Sequence, residues 1–187
     1  SSGLVSGLAA GTARIVATTV DGGFKATNTT TVFVPTPGVS LTIEAESWIA
    51  TGGTTSPGVS NYTVGAIGAI NWVQSGDWAE YNVTIPENGL YQIVYHISTP
   101  QDNARIDFLV DGAVKASDPA PNNGGWDAFT PLTSSAYPDL TSGPHTVRLV
   151  ANSAEAWQWN LDKVVLTKVA ESGLTPPVGM MVLMPDL

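Results

Sequence analysis

The feature that most constrains the fold is the alternation of apolar and polar residues in short segments separated by turns. Residues 78–85 read Trp-Ala-Glu-Tyr-Asn-Val-Thr-Ile, and 91–97 and 146–150 repeat the alternation. Side chains two positions apart lie on the same face of a strand, so each segment predicts a half-buried β-strand. Turn residues stand at 86–89 and at Asp111-Gly112. The sequence therefore predicts an all-β fold, an antiparallel jelly-roll-like β-sandwich.

Changes in composition divide the chain into four predicted zones. Residues 36–39 form a Pro-rich linker, 40–169 the main sandwich, and 170–187 a C-terminal linker or tail. Before the linker, residues 7–17 read Gly-Leu-Ala-Ala-Gly-Thr-Ala-Arg-Ile-Val-Ala, which resembles a strand of bacterial group 2 Ig-like domains. Residues 1–35 are therefore predicted to be a partial Ig-like segment that adds a few extra strands. Two or three strands do not form a stable domain alone. This segment is therefore expected either to pack on its neighbour or to be a truncated remnant.

Charge and composition exclude several classes of partner. The 187-residue chain has a net charge of −9, and its seven Lys and Arg residues are scattered, so no nucleic-acid partner is expected. The same charge disfavours sulfated or uronic polyanions. No apolar run is long enough to span a membrane, and the chain has no cysteine for disulfides or thiolate metal sites. The start at Ser1 shows no signal peptide and is expected to lie inside a longer protein.

The segment Trp157-Gln158-Trp159-Asn160 places two indoles and an amide next to a predicted loop. An exposed indole offers a flat apolar face that can stack on a sugar ring, while an amide can bond its hydroxyls. The alternative is that both tryptophans belong to the core, where proteins normally place this residue. We expect Trp157 to be the sugar-facing residue and Trp159 to pack inside. Three further tryptophans are interpreted as structural: Trp48, Trp72 and Trp78.

Glu44 and Glu46 are two positions apart on a predicted strand, so both carboxylates are expected on one face. They could be solvated charges, the acid/base pair of a glycosidase, or ligands of a hard cation. Catalysis is the weakest of these interpretations, because the sequence contains no nucleophile motif. His96 and His145 lie in strand patterns without a nucleophile signature beside them. An enzyme is therefore not expected.

The motifs of the main body stand in a definite order. They are Ile-Glu-Ala-Glu at 43–46, Val-Gln-Ser-Gly-Asp-Trp-Ala-Glu-Tyr at 73–81, Gly-Gly-Trp at 124–126, Gly-Pro-His-Thr-Val-Arg-Leu at 143–149 and Asn-Leu-Asp at 160–162. This ordered set resembles carbohydrate-binding module family 6, a jelly-roll-like β-sandwich that binds glycans as an appendage of secreted glycosidases. The Asn61-Tyr62 pair and the ending at 157–162 resemble the modules attached to bacterial agarases.

The resemblance implies two sites. In the family, acidic residues of the first strand and the Asp of the closing strand hold a structural Ca²⁺, which favours the cation interpretation of the carboxylates. The implied calcium ligands are Glu44, Glu46 and Asp162. The edge loops of the family grip a terminal sugar between aromatic residues and use an Asn for its hydroxyls. The implied carbohydrate-binding residues are Asn61, Tyr62, Trp126, Trp157 and Asn160.

The resulting functional hypothesis is a non-catalytic carbohydrate-binding module of a secreted or cell-surface bacterial protein. It would target a linked glycoside hydrolase to agarose or neoagaro-oligosaccharide chain ends, because tethering raises the local concentration of the enzyme. Two alternatives stay open: a module for another glycan such as xylan or β-1,3-glucan, and a purely structural spacer. Clustered exposed aromatic residues would separate a binding module from a spacer, which does not need them.

Overall fold

A computed structural model describes residues 11–18, 23–32, 39–54 and 57–173. The predicted linker at 36–39 and the tail at 170–187 lie largely outside these residues, so neither prediction is tested. None of the described residues forms a helix long and apolar enough to cross a membrane. Their regular structure is β throughout, apart from one 3₁₀ turn at Ala45–Ser47.

The described part of the chain contains fourteen strands. They are β1 (Gly11–Thr18), β2 (Lys25–Val32), β3 (Ser40–Glu44), β4 (Ala50–Gly52), β5 (Ser60–Val64), β6 (Ile67–Asn71), β7 (Trp78–Ile85), β8 (Gly89–Ser98), β9 (Ala104–Val110), β10 (Ala113–Ala120), β11 (Thr130–Thr133), β12 (Asp139–Leu140), β13 (Gly143–Ala151) and β14 (Asn160–Ala170).

The strands form three sheets in which all pairs are antiparallel. β1 and β2 pair with each other in a two-stranded sheet. A five-stranded sheet has the order β10-β9-β13-β7-β4. A seven-stranded sheet has the order β11-β8-β14-β6-β5, with β12 paired to β8 and β3 paired to β14. The prediction of an all-β antiparallel sandwich is confirmed. The Ig-like identity of residues 1–35 stays a prediction.

The predicted alternation is visible in β7, where Ala79, Tyr81 and Ile85 are buried and the intervening side chains are more exposed. The Asp111-Gly112 turn joins β9 to β10, and its φ angles of 50° and 79° are both positive. That combination characterises the type I′ turns favoured in two-residue hairpins, so this hairpin prediction is confirmed. The turn after Ile85 is also present, but it joins β7 of one sheet to β8 of the other.

The core contains large side chains from both sheets, including Tyr81, Tyr95, Phe108 and Trp159. Polar groups of these residues are paired, as buried polar atoms normally are. The Tyr81 hydroxyl donates to the carbonyl of Ala45 over 2.9 Å, and the Trp159 indole donates to the carbonyl of Arg105 over 2.9 Å. The interpretation of Trp159 as a core residue is confirmed.

The closing strand β14 connects the parts of the sheet that carry the candidate sites. It pairs with β8 along most of its length, with β3 on the other side, and with β6 at Leu161. The register with β8 shifts between Leu161 and Lys163, so Asp162 occupies a β-bulge. Bulges redirect side chains and are frequent near functional sites.

The prediction that Glu44 and Glu46 share one face of a strand is wrong. β3 ends at Glu44, and the chain then forms the 3₁₀ segment Ala45–Ser47. Side chains two positions apart share a face only within a strand, so the rule does not apply to Glu46. Glu46 lies instead against β6, where a Cβ on Gly68 would collide with its carboxylate. The glycine therefore makes room for this side chain.

Candidate functional site

A cleft of about 360 Å³ lies where β5, β6, the start of β14 and three loops meet. This volume is near the lower end of the range for small-molecule sites, which runs from about 300 to 1,000 Å³. The lining is mostly aromatic with a few polar groups. It consists of Tyr62, Asn71, Trp72, Val73, Trp126, Asp127, Trp157 and Asn160.

Tyr62 lies in β5 and links the strand to the loop that carries Trp126. Its hydroxyl donates to Asp127 Oδ1 over 2.9 Å and lies 3.3 Å from the carbonyl oxygen of Trp126. Partial burial, reinforced by the hydrogen bond and charge of Asp127, raises the pKa of Tyr62 above its usual range. The phenol therefore stays neutral and keeps its donor role over the physiological pH range.

Trp126 stands on the loop between β10 and β11, directly after two glycines. The loop backbone is held in place by Ser98 Oγ, which donates to the carbonyl of Gly125 over 2.6 Å, and by Asn160 Nδ2, which donates to the carbonyl of Trp126 over 2.6 Å. The Trp126 side chain nevertheless stays 38% exposed. A fixed backbone with an accessible indole is a preorganised stacking surface.

Trp157 lies on the loop before β14 and is held in a similar way. It forms an isolated antiparallel bridge with Gln74, and the next residue, Gln158, donates its backbone N–H to the carbonyl of Val73 over 2.9 Å. The side chain of Gln158 is buried and bonds to the backbone of its own loop at Glu155. The Trp157 indole remains 37% exposed at the cleft.

The prediction that Trp72 is a structural residue is wrong, because its side chain is 61% exposed at the rim of the cleft. Its ring centroid lies 5.5 Å from that of Trp157, with an interplanar angle of 64°. The other two tryptophans in that group are partly buried: Trp48 packs on the core and Trp78 lies under Arg148, with the guanidinium carbon 4.1 Å from the ring centroid.

Asn160 is the first residue of β14 and is only 5% exposed. Its Nδ2 donates to the Tyr62 hydroxyl over 3.0 Å and to the carbonyl of Trp126 over 2.6 Å. Asn160 is therefore a strand residue with structural contacts of its own. The amide is a cleft residue that also holds two elements of the cleft together.

Asn61 does not line the cleft, so the structure does not bring it together with the other implied carbohydrate-binding residues. It precedes Tyr62 in β5, and successive strand residues point to opposite faces. Its Nδ2 donates to the carbonyl of Glu46 over 2.9 Å, and its Oδ1 accepts from the Trp48 indole over 2.6 Å. Asn61 thus secures the 3₁₀ turn on the other side of the strand.

Four of the five sequence-predicted carbohydrate residues therefore meet in one cleft: Tyr62, Trp126, Trp157 and Asn160. The sequence reasoning missed the four others that line it: Asn71, Trp72, Val73 and Asp127. Asp127 could have been found as the polar neighbour of Trp126. No local pattern marks Asn71 or Trp72, because they stand at a strand end whose direction depends on tertiary contacts.

The cleft has the chemistry of a binding site rather than of a reaction centre. Accessible indoles offer flat faces to the C–H side of a sugar, and amide and carboxylate groups can bond hydroxyls. Asp127, the carboxylate among its lining residues, is already bonded to Tyr62, and neither His96 nor His145 lines the cleft. His145 instead bonds Asp111 on the five-stranded sheet, with Nδ1 2.6 Å from Oδ2.

The predicted calcium ligands lie around the bulge of β14. Glu44 is in register with Lys163, and Asp162 Oδ2 lies 3.6 Å from Lys163 Nζ. Glu46 Oε2 is buried without a hydrogen-bond partner, which is unusual for a carboxylate oxygen. Within the described ranges, however, no three His, Asp or Glu side chains are grouped to hold a metal. A cation beside Glu46 would therefore need backbone carbonyl oxygens in its shell, which calcium accepts.

Comparison with known proteins identifies the family. The model of the family 6 carbohydrate-binding modules matches residues 44–168. The chain belongs to this family. Family 6 modules are non-catalytic and bind polysaccharides or oligosaccharides, which confirms the expectation that the chain is not an enzyme. The match covers the main body and ends before the C-terminal tail.

Related bacterial proteins carry this module within larger glycoside hydrolases. The chain is 41% identical to the β-agarase AgaO of Microbulbifer thermotolerans over 68% of its length, and 38% identical to an α-agarase of Alteromonas agarilytica over 75% of its length. These matches cover 11% and 10% of the two relatives. The chain therefore spans about a tenth of the length of these two relatives.

Solved structures of family 6 modules share the fold. The module of lichenase 5A from Cellvibrio mixtus, solved with cellotriose, is 27% identical and has a TM-score of 0.57 over 69% of this chain and 97% of that one. The C-terminal module of the laminarinase LamC from Zobellia galactanivorans is 23% identical, with a TM-score of 0.60 over 69% of this chain and 99% of that one. The second likeness shows the fold alone.

Proposed function

We propose that this module binds the ends of neutral red-algal galactan chains, agarose or neoagaro-oligosaccharides, and so keeps a linked glycoside hydrolase on its polymer. The observation that carries the proposal is the cleft in which Tyr62, Trp126 and Trp157 meet around Asn160. A structural spacer does not need three accessible aromatic side chains at one edge of its sandwich.

The proposed binding mode follows from the shape of the cleft. A sugar ring stacks on the indoles of Trp126 and Trp157, while the polar groups around Asn160 and Asp127 bond its hydroxyls. A cleft of about 360 Å³ encloses only a short part of a glycan. Affinity is therefore expected to be modest, on the order of micromolar to millimolar, because few groups are buried and ordering a flexible chain opposes binding.

Two observations favour a galactan among the possible glycans. The relatives that are 41% and 38% identical are a β-agarase and an α-agarase, although the chain matches only 11% and 10% of their lengths. The net charge of −9 favours a neutral polymer over a sulfated or uronic one. Xylan or a β-glucan is the second candidate, since the 27% identical lichenase module was solved with cellotriose.

The parent protein is proposed to be a secreted or cell-surface bacterial agarase. An insoluble polymer is accessible only outside the cell, and the relatives named as agarases are large proteins of which this module is a small part. The module contributes by raising the local concentration of the attached enzyme at the polymer, with no chemistry of its own.

A structural Ca²⁺ beside Glu46 is the second part of the proposal. The buried, unpartnered Oε2 of Glu46 supports it. Asp162 and Glu44 are ligands that the family resemblance implies, but the described carboxylates do not form a group of three, so backbone carbonyl oxygens would have to complete the shell. Bound there, the ion would neutralise buried carboxylate charge and tie the first strand of the main body to the last.

Affinity electrophoresis tests the choice of glycan. The module is run through non-denaturing polyacrylamide gels that contain agarose, xylan, laminarin or carrageenan, with a Trp126→Ala/Trp157→Ala double variant beside it. We expect retardation of the wild-type module in agarose alone and none for the double variant. Equal retardation in all four polymers, or retardation only in xylan or laminarin, would overturn the galactan assignment.

A further inference from the structure

Trp72 combines two unusual properties at the rim of the cleft. Its φ angle is 60°, in the left-handed region that bulky side chains rarely adopt. Its indole is nevertheless 61% exposed, so burial of the side chain in the core does not compensate for this backbone conformation. Strained backbone conformations of this kind are concentrated at binding and active sites.

Asn71, the residue before it, carries an unsatisfied polar atom in the same cleft. Its Oδ1 is buried and has no hydrogen-bond partner. Buried acceptors are nearly always paired in native proteins, because leaving one unpaired is unfavourable. The atom is shielded from solvent in the free module, so a sugar hydroxyl pairs with it only when the side chains that cover it shift on binding.

The segment that carries both residues is fixed to the loop of Trp157. Val73 accepts the backbone N–H of Gln158 over 2.9 Å, and Gln74 forms a bridge with Trp157. The indoles of Trp72 and Trp157 are 5.5 Å apart and inclined by 64°, so they form two adjoining walls rather than a parallel stack. An inclined pair leaves ring surface open on both residues.

We infer that Trp72 and Asn71 form a second sugar subsite, next to the one bounded by Tyr62, Trp126 and Trp157. This inference rests on the proposed function and deepens it. Trp72 stacks on the second ring of the same oligosaccharide, and Asn71 Oδ1 accepts a hydroxyl from it. The two residues thereby select chains longer than the terminal unit, and the fixed backbone reduces the ordering needed on binding.

Calorimetric titration with agar-derived oligosaccharides of two, four and six sugar units tests the subsite. Trp72→Gly is the preferred variant, because glycine adopts the positive φ without strain and the fold is retained. We expect its affinity for the tetrasaccharide to fall about tenfold, the scale of one lost stacking contact. The ratio of tetrasaccharide to disaccharide affinity should fall towards one. Asn71→Leu, which removes the acceptor at similar size, should lower the same ratio.

Ile49→Ala serves as the control, since Ile49 is 55% exposed and does not line the cleft. Its length dependence should match that of the wild type. If Trp72→Gly keeps the wild-type ratio while the wild type binds, the subsite inference is wrong and the proposed function stands. If the wild type binds none of these oligosaccharides, the proposed function itself fails, and the subsite with it.

Discussion

The side-chain amide of Asn160 donates a hydrogen bond to the Tyr62 hydroxyl over 3.0 Å, joining two residues 98 positions apart in the chain. The same amide nitrogen also holds the carbonyl of Trp126. One side chain therefore sets the positions of a strand residue and a loop residue that form two walls of the cleft. The rigidity of the cleft depends on this amide as much as on the aromatic residues.

Asn160→Ala should weaken glycan binding and also lower the melting temperature slightly. The variant removes two hydrogen bonds that organise the cleft, each worth about 0.5–1.5 kcal/mol. Asn61→Ala is the matched control, because Asn61 bonds Trp48 and the backbone of Glu46 outside the cleft. Calorimetry and melting curves of both variants check this. Loss of binding in Asn61→Ala at an unchanged melting temperature would contradict the assignment.

Stability should fall at alkaline pH. Burial raises the pKa of Tyr62, Tyr81 and Tyr95 in the folded state, with nearby carboxylates adding to the effect, whereas unfolded tyrosine titrates near about 10. The unfolded chain loses these protons first, so stability is fully present below about pH 10 and is lost as the pH rises further. Melting temperatures should be flat from about pH 7 to about 9 and decline above about 10.

An absorbance titration of tyrosinate provides the independent check on these phenols. The chain has five tyrosines, and those with raised pKa values should ionise only as the protein unfolds. Tyr62→Phe should remove one of the late-titrating groups. Reversible ionisation of all five tyrosines near about pH 10 in the folded protein would refute the raised pKa values of Tyr62, Tyr81 and Tyr95.

Removal of the proposed calcium ion should destabilise the fold. A metal that binds only the folded state raises stability by mass action, so a chelator should lower the melting temperature of the wild type. Glu46→Gln should abolish this sensitivity, because it removes the charge of the carboxylate whose Oε2 is unpartnered. Glu155→Gln, at a partly exposed glutamate bonded to Asn103, should behave like the wild type. A melting temperature that the chelator does not change, together with no calcium in elemental analysis, would show that the protein has no structural calcium ion.

Truncation of two neighbouring tryptophans should change the free energy of unfolding by very different amounts. Trp159 is fully buried and its indole is hydrogen-bonded, so Trp159→Ala should lower the free energy of unfolding by about 3–5 kcal/mol. Trp157→Ala should change it much less, because 37% of that side chain is exposed. Urea denaturation of both variants measures the difference. Collapse of the Trp157→Ala variant would show that this residue supports the core.

The sandwich could be predicted from the sequence because one face of several strands is buried and the other is solvated. In β7 the contrast between buried and exposed faces is clear enough that the alternation of apolar and polar residues predicts it. The same rule separates Asn61 from Tyr62, since adjacent strand residues face opposite ways. The resemblance implies that both bind sugar, whereas the structure places them on different sides of β5.

Other features depend on contacts that no local pattern records. Trp72 adopts a positive φ that its residue type disfavours, so no sequence signal indicates that the indole turns towards the cleft. Glu46 leaves the strand because the chain turns at Ala45, although the two-residue spacing from Glu44 is that of a strand. Both are settled by packing against distant segments, at Trp157 and at β6.

The central claim is that the aromatic cleft binds a galactan chain, and calorimetric titration of the wild type and Trp157→Ala with neoagarohexaose tests it most directly. Xylohexaose and laminarihexaose serve as the comparison ligands. The wild type should bind neoagarohexaose with a Kd on the order of micromolar to millimolar, and Trp157→Ala should bind it more weakly by about 1–3 kcal/mol while remaining folded. Undiminished binding by Trp157→Ala, or equal wild-type affinity for all three hexasaccharides, would contradict the account.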